Sequence, residues 1–232
     1  MIYPIVIYGS QTLRNKSTDI TPDYPELKKL IDDMFLTLDE ASGVGLAAPQ
    51  IGKNIRLFIV DCTPWADDEP ELEDYRRVFI NAEIYEVSEE TDLFNEGCLS
   101  LPGLHEDVRR PVAIKMRWLD ENFVEHDELI DGLPARVIQH EYDHLEGKVF
   151  TDRLSPLRRN LLKGKMTKLA NGKYRCAGYQ ENGYPAGRWR LPTPAEILYV
   201  GRLGAEGKVE GIFVNNVVYL SSNGGYRYLE SN

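Results

Sequence analysis

L-I-D-G-L-P-A-R-V-I-Q-H-E-Y-D-H-L, Leu129 to Leu145, is the stretch on which the fold turns. Ile130, Leu133, Val137, Ile138, Tyr142 and Leu145 recur at helical spacing, so all of it predicts one long helix. Inside lies His140-Glu-Tyr-Asp-His144, an H-E-x-x-H pattern. Four residues advance a helix by about 400°, which brings both imidazoles out on one face, one turn apart. That spacing suits two nitrogens converging on a tetrahedral metal, with Glu141 beside them to accept a proton from water. Two helical histidines at this spacing also fit a plain surface pair, and five-residue patterns arise by chance.

The chain has only four histidines, and His105 and His126 stand at no ligand spacing, so a third ligand has to come from elsewhere. The best candidate is Cys98, in the turn-rich segment Asn95-Glu-Gly-Cys-Leu-Ser-Leu-Pro-Gly103. Its other reading is a buried, inert thiol. A third segment is Gly43-Val-Gly-Leu-Ala-Ala-Pro-Gln-Ile-Gly52. It lacks the Lys-Ser/Thr pair and the strand–loop–helix order of a phosphate loop. Its glycines permit close backbone approach, and Gln50 offers an amide donor, which suits an oxyanion-stabilising wall beside a metal.

Around these segments, Pro25–Asp39 reads as an amphipathic helix, while Ile55–Asp61, Val78–Ala82 and Val112–Asp120 read as strands. The acidic, proline-containing stretch Pro64–Arg77 reads as a solvated loop. Helices and strands follow one another without a βαβ rhythm, which predicts an α+β fold. Mixed or antiparallel sheets should pack around a central helix carrying the two histidines. Lys and Arg number 27 against 37 Asp and Glu, a net charge of −10 that argues against wholesale nucleic-acid binding, and no DNA partner is expected. The longest apolar runs, such as Val214–Leu220, are too short for a membrane span, and no secretory signal is visible after Met1. Three cysteines, Cys62, Cys98 and Cys176, fit a reducing compartment, and a cytoplasmic location is expected.

Together, in this order, G-V-G-L-A-A-P-Q-I-G, E-G-C-L-S-L-P-G and Q-H-E-Y-D-H-L-E-G resemble the three motifs of the peptide deformylase family. The resemblance runs from Met1 to about Tyr179, with no departure at a motif position. It implies hydrolysis of the formyl group from the N-terminal formyl-methionine of newly made polypeptides, releasing formate. It further implies a metal held by Cys98, His140 and His144, with one position open for water. Ferrous iron is the implied metal, and Zn2+, Ni2+ or Co2+ can take the same place. Glu141 would shuttle the proton, and the Gln50 side chain and Leu99 N–H would meet the oxyanion. Gly45 and Gly97 would lie against the substrate backbone, and Val44, Phe94, Leu133 and Val137 would line the methionine pocket. Glu96 and Arg110 would form an ion pair behind the cysteine loop. For the four pocket residues, ordinary core packing is the competing account.

Two other classes compete. A zinc peptidase is weakened because no further histidine or glutamate ligand is visible downstream of His144. A binding protein with a structural metal is weakened by Glu141, because a structural site has no use for a base.

Arg153 to Gln180 holds eight basic residues and no acidic one: Arg153, Arg158, Arg159, Lys163, Lys165, Lys168, Lys173 and Arg175. It reads either as a solvated helix face or as a contact to ribosomal RNA. From about Glu181 the sequence leaves the deformylase pattern, and the composition shifts close by. Residues 1–170 carry 20 basic against 32 acidic residues, while 171–232 carry 7 against 5 and hold 10 of the 19 glycines. This places a catalytic domain at 1–179 and a small C-terminal extension at 180–232. In the extension, Thr193-Pro-Ala-Glu196 is a capping box that opens a short helix to about Leu203. Gly211–Val214, Val217–Leu220 and Tyr226–Leu229 read as a small meander. Arg188-Trp-Arg-Leu-Pro-Thr193 resembles a segment of small modules in bacterial surface proteins. The extension reads as packing onto the catalytic domain, as a small appended module, or as sequence joined from another frame. The appended module is the preferred account.

Overall fold

Leu129, Ile130 and Asp131 do not belong to the long helix: they close a strand, and the helix begins at Gly132. Their apolar pair mimicked a helical face, but Ile130 is buried and Leu129 exposed, the alternation of a strand. Gly132, at φ +62, makes the break, and Pro134 fits the first helical turn because its missing N–H is not needed there. The structure is a computed structural model that describes residues 1–171 and, beyond them, only the short strands given below.

Seven strands precede this helix: β1 (Gly45–Ala47), β2 (Leu57–Asp61), β3 (Arg76–Val87), β4 (Thr91–Glu96), β5 (Glu106–Pro111), β6 (Ala113–Leu119) and β7 (Glu125–Asp131). They form a five-stranded antiparallel sheet in the order β1-β2-β3-β6-β7 and a separate β4–β5 pair. Helix α1 (Leu27–Glu40) buries Leu27, Leu30, Ile31, Met34 and Leu38, a three-four spacing that makes one stripe. It packs with Leu46, Leu57, Ile59, Val78 and Ile80 in one core group. Helix α2 (Gly132–Leu145) packs Ala135, Val137, Ile138 and Leu145 into a second group with Phe58, Phe79, Met116 and Trp118. Residues alternating along β2 and β3 thus face opposite cores, α1 on one side and α2 on the other. The α+β expectation, with antiparallel sheets and few helices, is met.

What positions the site is the burial of α2 on all sides. Arg136, Gln139, His140, Glu141, Asp143 and His144 are buried along with its apolar residues. Buried polar groups need partners, so the helix is placed by bonds as well as by packing. Gly147, at φ +68, ends it, and there a Cβ would stand 2.5 Å from the carbonyl oxygen of Arg14.

Contacts divide the chain into two compact units, Met1–Leu161 and Leu162–Asn232. Helix α3 (Pro156–Ala170) continues past the first boundary. In the second unit β8 (Trp189–Arg190), β9 (Tyr219–Ser221) and β10 (Tyr226–Arg227) form an antiparallel sheet in the order β10-β9-β8. The helix expected from Thr193 and the strand expected over Gly211–Val214 lie outside the described residues. No helix among the described residues is long and apolar enough to cross a membrane.

Candidate metal centre

His140 and His144 leave α2 on one side, their ring centroids 5.4 Å apart. The turn after β4 carries Cys98 to them, and one donor atom from each of Cys98, His140 and His144 lies within 4.8 Å of the others. Cys98 Sγ is 3.4 Å from His144 Nε2. Glu96 Oε2 holds His140 at Nδ1, 3.0 Å away, which turns Nε2 toward the cluster. A thiolate and two imidazoles around one point are the donor set of a tetrahedral site with an open position, so these residues fit a metal.

Glu141 lies beside the cluster with its carboxylate against Gly45, where a Cβ would stand 2.5 Å from Oε1. Gly45 therefore has to be glycine for the carboxylate to stay. The side chain is 3% exposed and Oε2 has no partner among the described residues. Burial pushes this carboxyl up to about 7, against the pull of His140 and Arg110. Burial also pushes His144 down, to about 3, with His140 adding repulsion. Burial works against charge on His140 too, but its bonds to Cys98 and Glu96 outweigh that and raise it well above the imidazole range.

Gln50 comes from the 3-10 turn Ala48–Ile51 that follows β1. Its Oε1 accepts from the Ala47 N–H at 2.8 Å, which fixes the amide, and Nε2 donates to Ser100 Oγ at 3.3 Å and lies 3.6 Å from Cys98 Sγ. The amide N–H is thus presented at the cluster. A cavity of about 480 Å³ opens over it. Val44, Gly45, Gln50, Phe94, Glu96, Gly97, Cys98, Leu99, Leu133, Val137, His140 and Glu141 all line it, so the structure brings the residues named from the motifs to one place. His144 and Arg110 sit behind them and do not line the cavity. Glu96 and Arg110 form a buried two-pronged pair, at 2.7 and 2.9 Å. Burial opposes the charge on Glu96, yet His140 and Arg110 hold its carboxyl at about 2.

Sequence reasoning missed four residues of this region. Trp65, in the acidic segment read as a solvated loop, lines the cavity together with Val44 and Leu133 and packs against the core group under α2. A tryptophan inside an acidic run was the signal. His105 lines the cavity, its ring so close to Gly97 that a Cβ there would meet it at 2.6 Å. Arg136 bonds Glu96 Oε1 at 3.1 Å, and Asp143 bonds Arg110 at 2.7 Å. Arg136, one turn before His140, and Asp143, between the histidines, gave no signal beyond that spacing.

An HExxH helix, a cysteine sulfur brought to its histidines and a buried carboxylate on an α+β scaffold are the marks of a metal-dependent hydrolase. Residues 2–160 match the family model described as Polypeptide deformylase. The chain belongs to that family. The peptide deformylase of Flavobacterium johnsoniae is 49% identical over 180 residues, taking in 75% of this chain and 92% of that protein. That of Salinibacter ruber is 46% identical over 177 residues, with 75% and 91% covered. Among solved structures, a peptide deformylase from Legionella pneumophila shares 35% identity at a TM-score of 0.64, covering 74% of this chain and 96% of its own. One from Plasmodium falciparum shares 32% at 0.65, covering 72% and 95%. The chain is a metal-dependent hydrolase that removes the N-formyl group from nascent peptides.

Proposed function

We propose that Cys98, His140 and His144 hold one ferrous ion, with zinc, nickel or cobalt able to replace it, and that Glu141, Gln50 and Leu99 carry out the hydrolysis. The single observation behind this reading is the convergence of those three donors beside an unpartnered, buried Glu141 oxygen. When bound, the metal supplies Lewis acidity that makes water nucleophilic at neutral pH and polarises the formyl oxygen.

The residues do the rest. Glu141 takes a proton from the attacking water as its oxygen bonds to the formyl carbon. The Gln50 amide, locked by Ala47, and the Leu99 N–H receive the negative charge on the former carbonyl oxygen. Glu141 then gives its proton to the amine as the C–N bond breaks, leaving formate and a free methionyl terminus. Val44, Phe94, Leu133 and Val137 surround the methionine side chain, while Gly45 and Gly97 let the peptide backbone approach. Formyl is the smallest acyl group, so the corner between Gln50 and Cys98 excludes acetyl by size.

Residues 1–179 make the catalytic domain and 180–232 a small appended module of unknown role. The family match at residues 2–160, and solved relatives covered almost end to end by about three quarters of this chain, support that division. Within the basic segment from Arg153 to Arg175, the exposed Lys163, Lys165 and Lys168 contact ribosomal RNA, and the enzyme works in the cytoplasm where formylated chains emerge.

Deformylation of formyl-Met-Ala-Ser by anaerobically purified protein, with metal analysis of the same sample, tests the reaction. Turnover with bound iron is expected. A folded, metal-loaded protein without turnover would overturn it. Limited proteolysis that leaves 1–179 active is expected from the domain division.

A further inference from the structure

Behind the cluster, charges of alternating sign run from His140 to the protein surface. His140 Nδ1 meets Glu96 Oε2 at 3.0 Å, and that carboxylate is gripped by Nε and Nη2 of Arg110 at 2.7 and 2.9 Å. Arg110 Nη1 reaches Asp143 Oδ2 at 2.7 Å. Asp143 is bound in turn by both Nε, at 3.0 Å, and Nη2 of Arg153. Arg110 and Asp143 are each 1% exposed, Glu96 is 4%, and the Arg153 side chain is 43% exposed.

We propose that Arg153 is a positioning residue for the metal site: by clamping Asp143 it aims the Arg110 fork at Glu96, and so fixes the ring of His140. This rests on the reading of Cys98, His140 and His144 as metal ligands.

Glu96 and Asp143 both draw on one buried guanidinium, and their separation depends on each having a second cation. Glu96 has Arg136, whose Nη1 lies 3.1 Å from Oε1. Asp143 has Arg153, which occupies both of its oxygens. Without Arg153, Asp143 Oδ1 is a buried anionic oxygen with no donor, and its carboxylate competes with Glu96 for Arg110. The groups touch in series, so a shift of Arg110 passes to Glu96 and then to His140 Nδ1. Groups that hold a ligand histidine from behind typically change metal affinity by about ten- to a hundredfold. A lysine supplies the charge but not the two-pronged grip, so Arg153→Lys should restore only part of the effect. Because Arg153 is at the surface, its removal leaves the core packing intact.

The full-length chain, loaded with zinc, is mixed with an excess of chelator and the rate of zinc loss is followed. The cobalt-loaded form is read by its visible absorption. Arg153→Gln should lose zinc about tenfold faster than the wild type and shift the cobalt spectrum. Arg153→Lys should fall between them, with every chain kept well below its metal-free melting temperature, which the lost pairing to Asp143 lowers in Arg153→Gln. In a Glu96→Gln background, Arg153→Gln should add nothing, because the path is already cut. Wild-type zinc loss and cobalt spectrum in Arg153→Gln would overturn the proposal, and so would effects of the two substitutions that simply multiply. A wild type that binds no zinc would instead overturn the ligand assignment, and the proposal with it.

Discussion

Glu141 has the environment of a proton carrier rather than of an ion-pair partner. It is buried beside the open cavity, with Oε2 unpartnered and its carboxyl raised to about 7 by burial. The proposed ligand set does not include it, so Glu141→Gln should keep the metal and lose turnover, by at least about a hundredfold. Metal analysis and single-turnover deformylation on the same sample check this. Normal turnover would remove Glu141 from the reaction. Gly45 belongs to the same story. A methyl group there occupies the space of the Glu141 carboxylate, so Gly45→Ala should lower kcat by displacing the carboxylate, with metal content unchanged. A Gly45→Ala enzyme as fast as the wild type would show that the carboxylate position is not set by this contact.

The elements differ in what holds them. Helix α2 stops at Gly147, where the backbone is left-handed and the Arg14 carbonyl leaves no room for a side chain. Gly147→Ala is strained in both respects and should cost about 1–3 kcal/mol, read as a lower melting temperature. Just after strand β2 comes Cys62, whose thiol is pushed up to about 12, chiefly by burial and then by Asp61 and Glu69. Tyr75, whose carbonyl accepts from the Cys62 N–H, is also raised by burial. The unfolded thiol ionises near its ordinary value of 9.0 while the folded one keeps its proton. Stability should therefore be flat below about pH 9 and fall from there toward 12, by up to about 1.4 kcal/mol per pH unit for each such group. Urea midpoints from pH 8 to 10.5 should fall less steeply in Cys62→Ala. Equal slopes would show that the thiol contributes nothing to alkaline lability. The same elements show what the sequence could tell. Strands β2, β3 and β6 carry buried apolar residues that announce them, and α1 carries a full stripe. Strand β4 is exposed along its length except at Glu96, and β7, E-H-D-E-L-I-D, is mostly acidic, so neither had an apolar pattern to read. Motif spacing pointed to His140, His144 and Glu141 because the geometry of one helix suffices there, whereas the choice of Cys98 rested on the family resemblance. Spacing could not find Asp143 and Arg153, because their role exists only through Arg110, brought in from another strand.

Over the molecule as a whole, the basic segment that follows the site does not act as one patch. Arg153 is turned onto Asp143, Arg158 onto Glu106, and Arg159 onto Asp152. Lys163, Lys165 and Lys168 are exposed and have no acidic partner among the described residues. The helical period puts Lys168 between the exposed Leu157 and Leu161 on α3, with Lys165 next to them at the edge of the side that buries Leu162, Met166 and Leu169. An apolar and basic stripe on a chain of net charge −10 is where contact to a polyanion would concentrate. If the enzyme docks on ribosomal RNA, Lys165→Glu with Lys168→Glu should weaken cosedimentation with ribosomes at low salt. It should also reduce the salt slope of binding by about one for each lysine. Turnover of a short formylated peptide should stay at the wild-type rate, since neither lysine lines the cavity. Arg158→Gln should leave cosedimentation nearly as it was, because that charge is already spent on Glu106. Cosedimentation indifferent to the two lysines, or an equal loss in Arg158→Gln, would mean that the stripe is a solvated face. The enzyme would then meet its formylated chains by diffusion, and the basic residues of the segment would serve only the catalytic unit that three of them already bind.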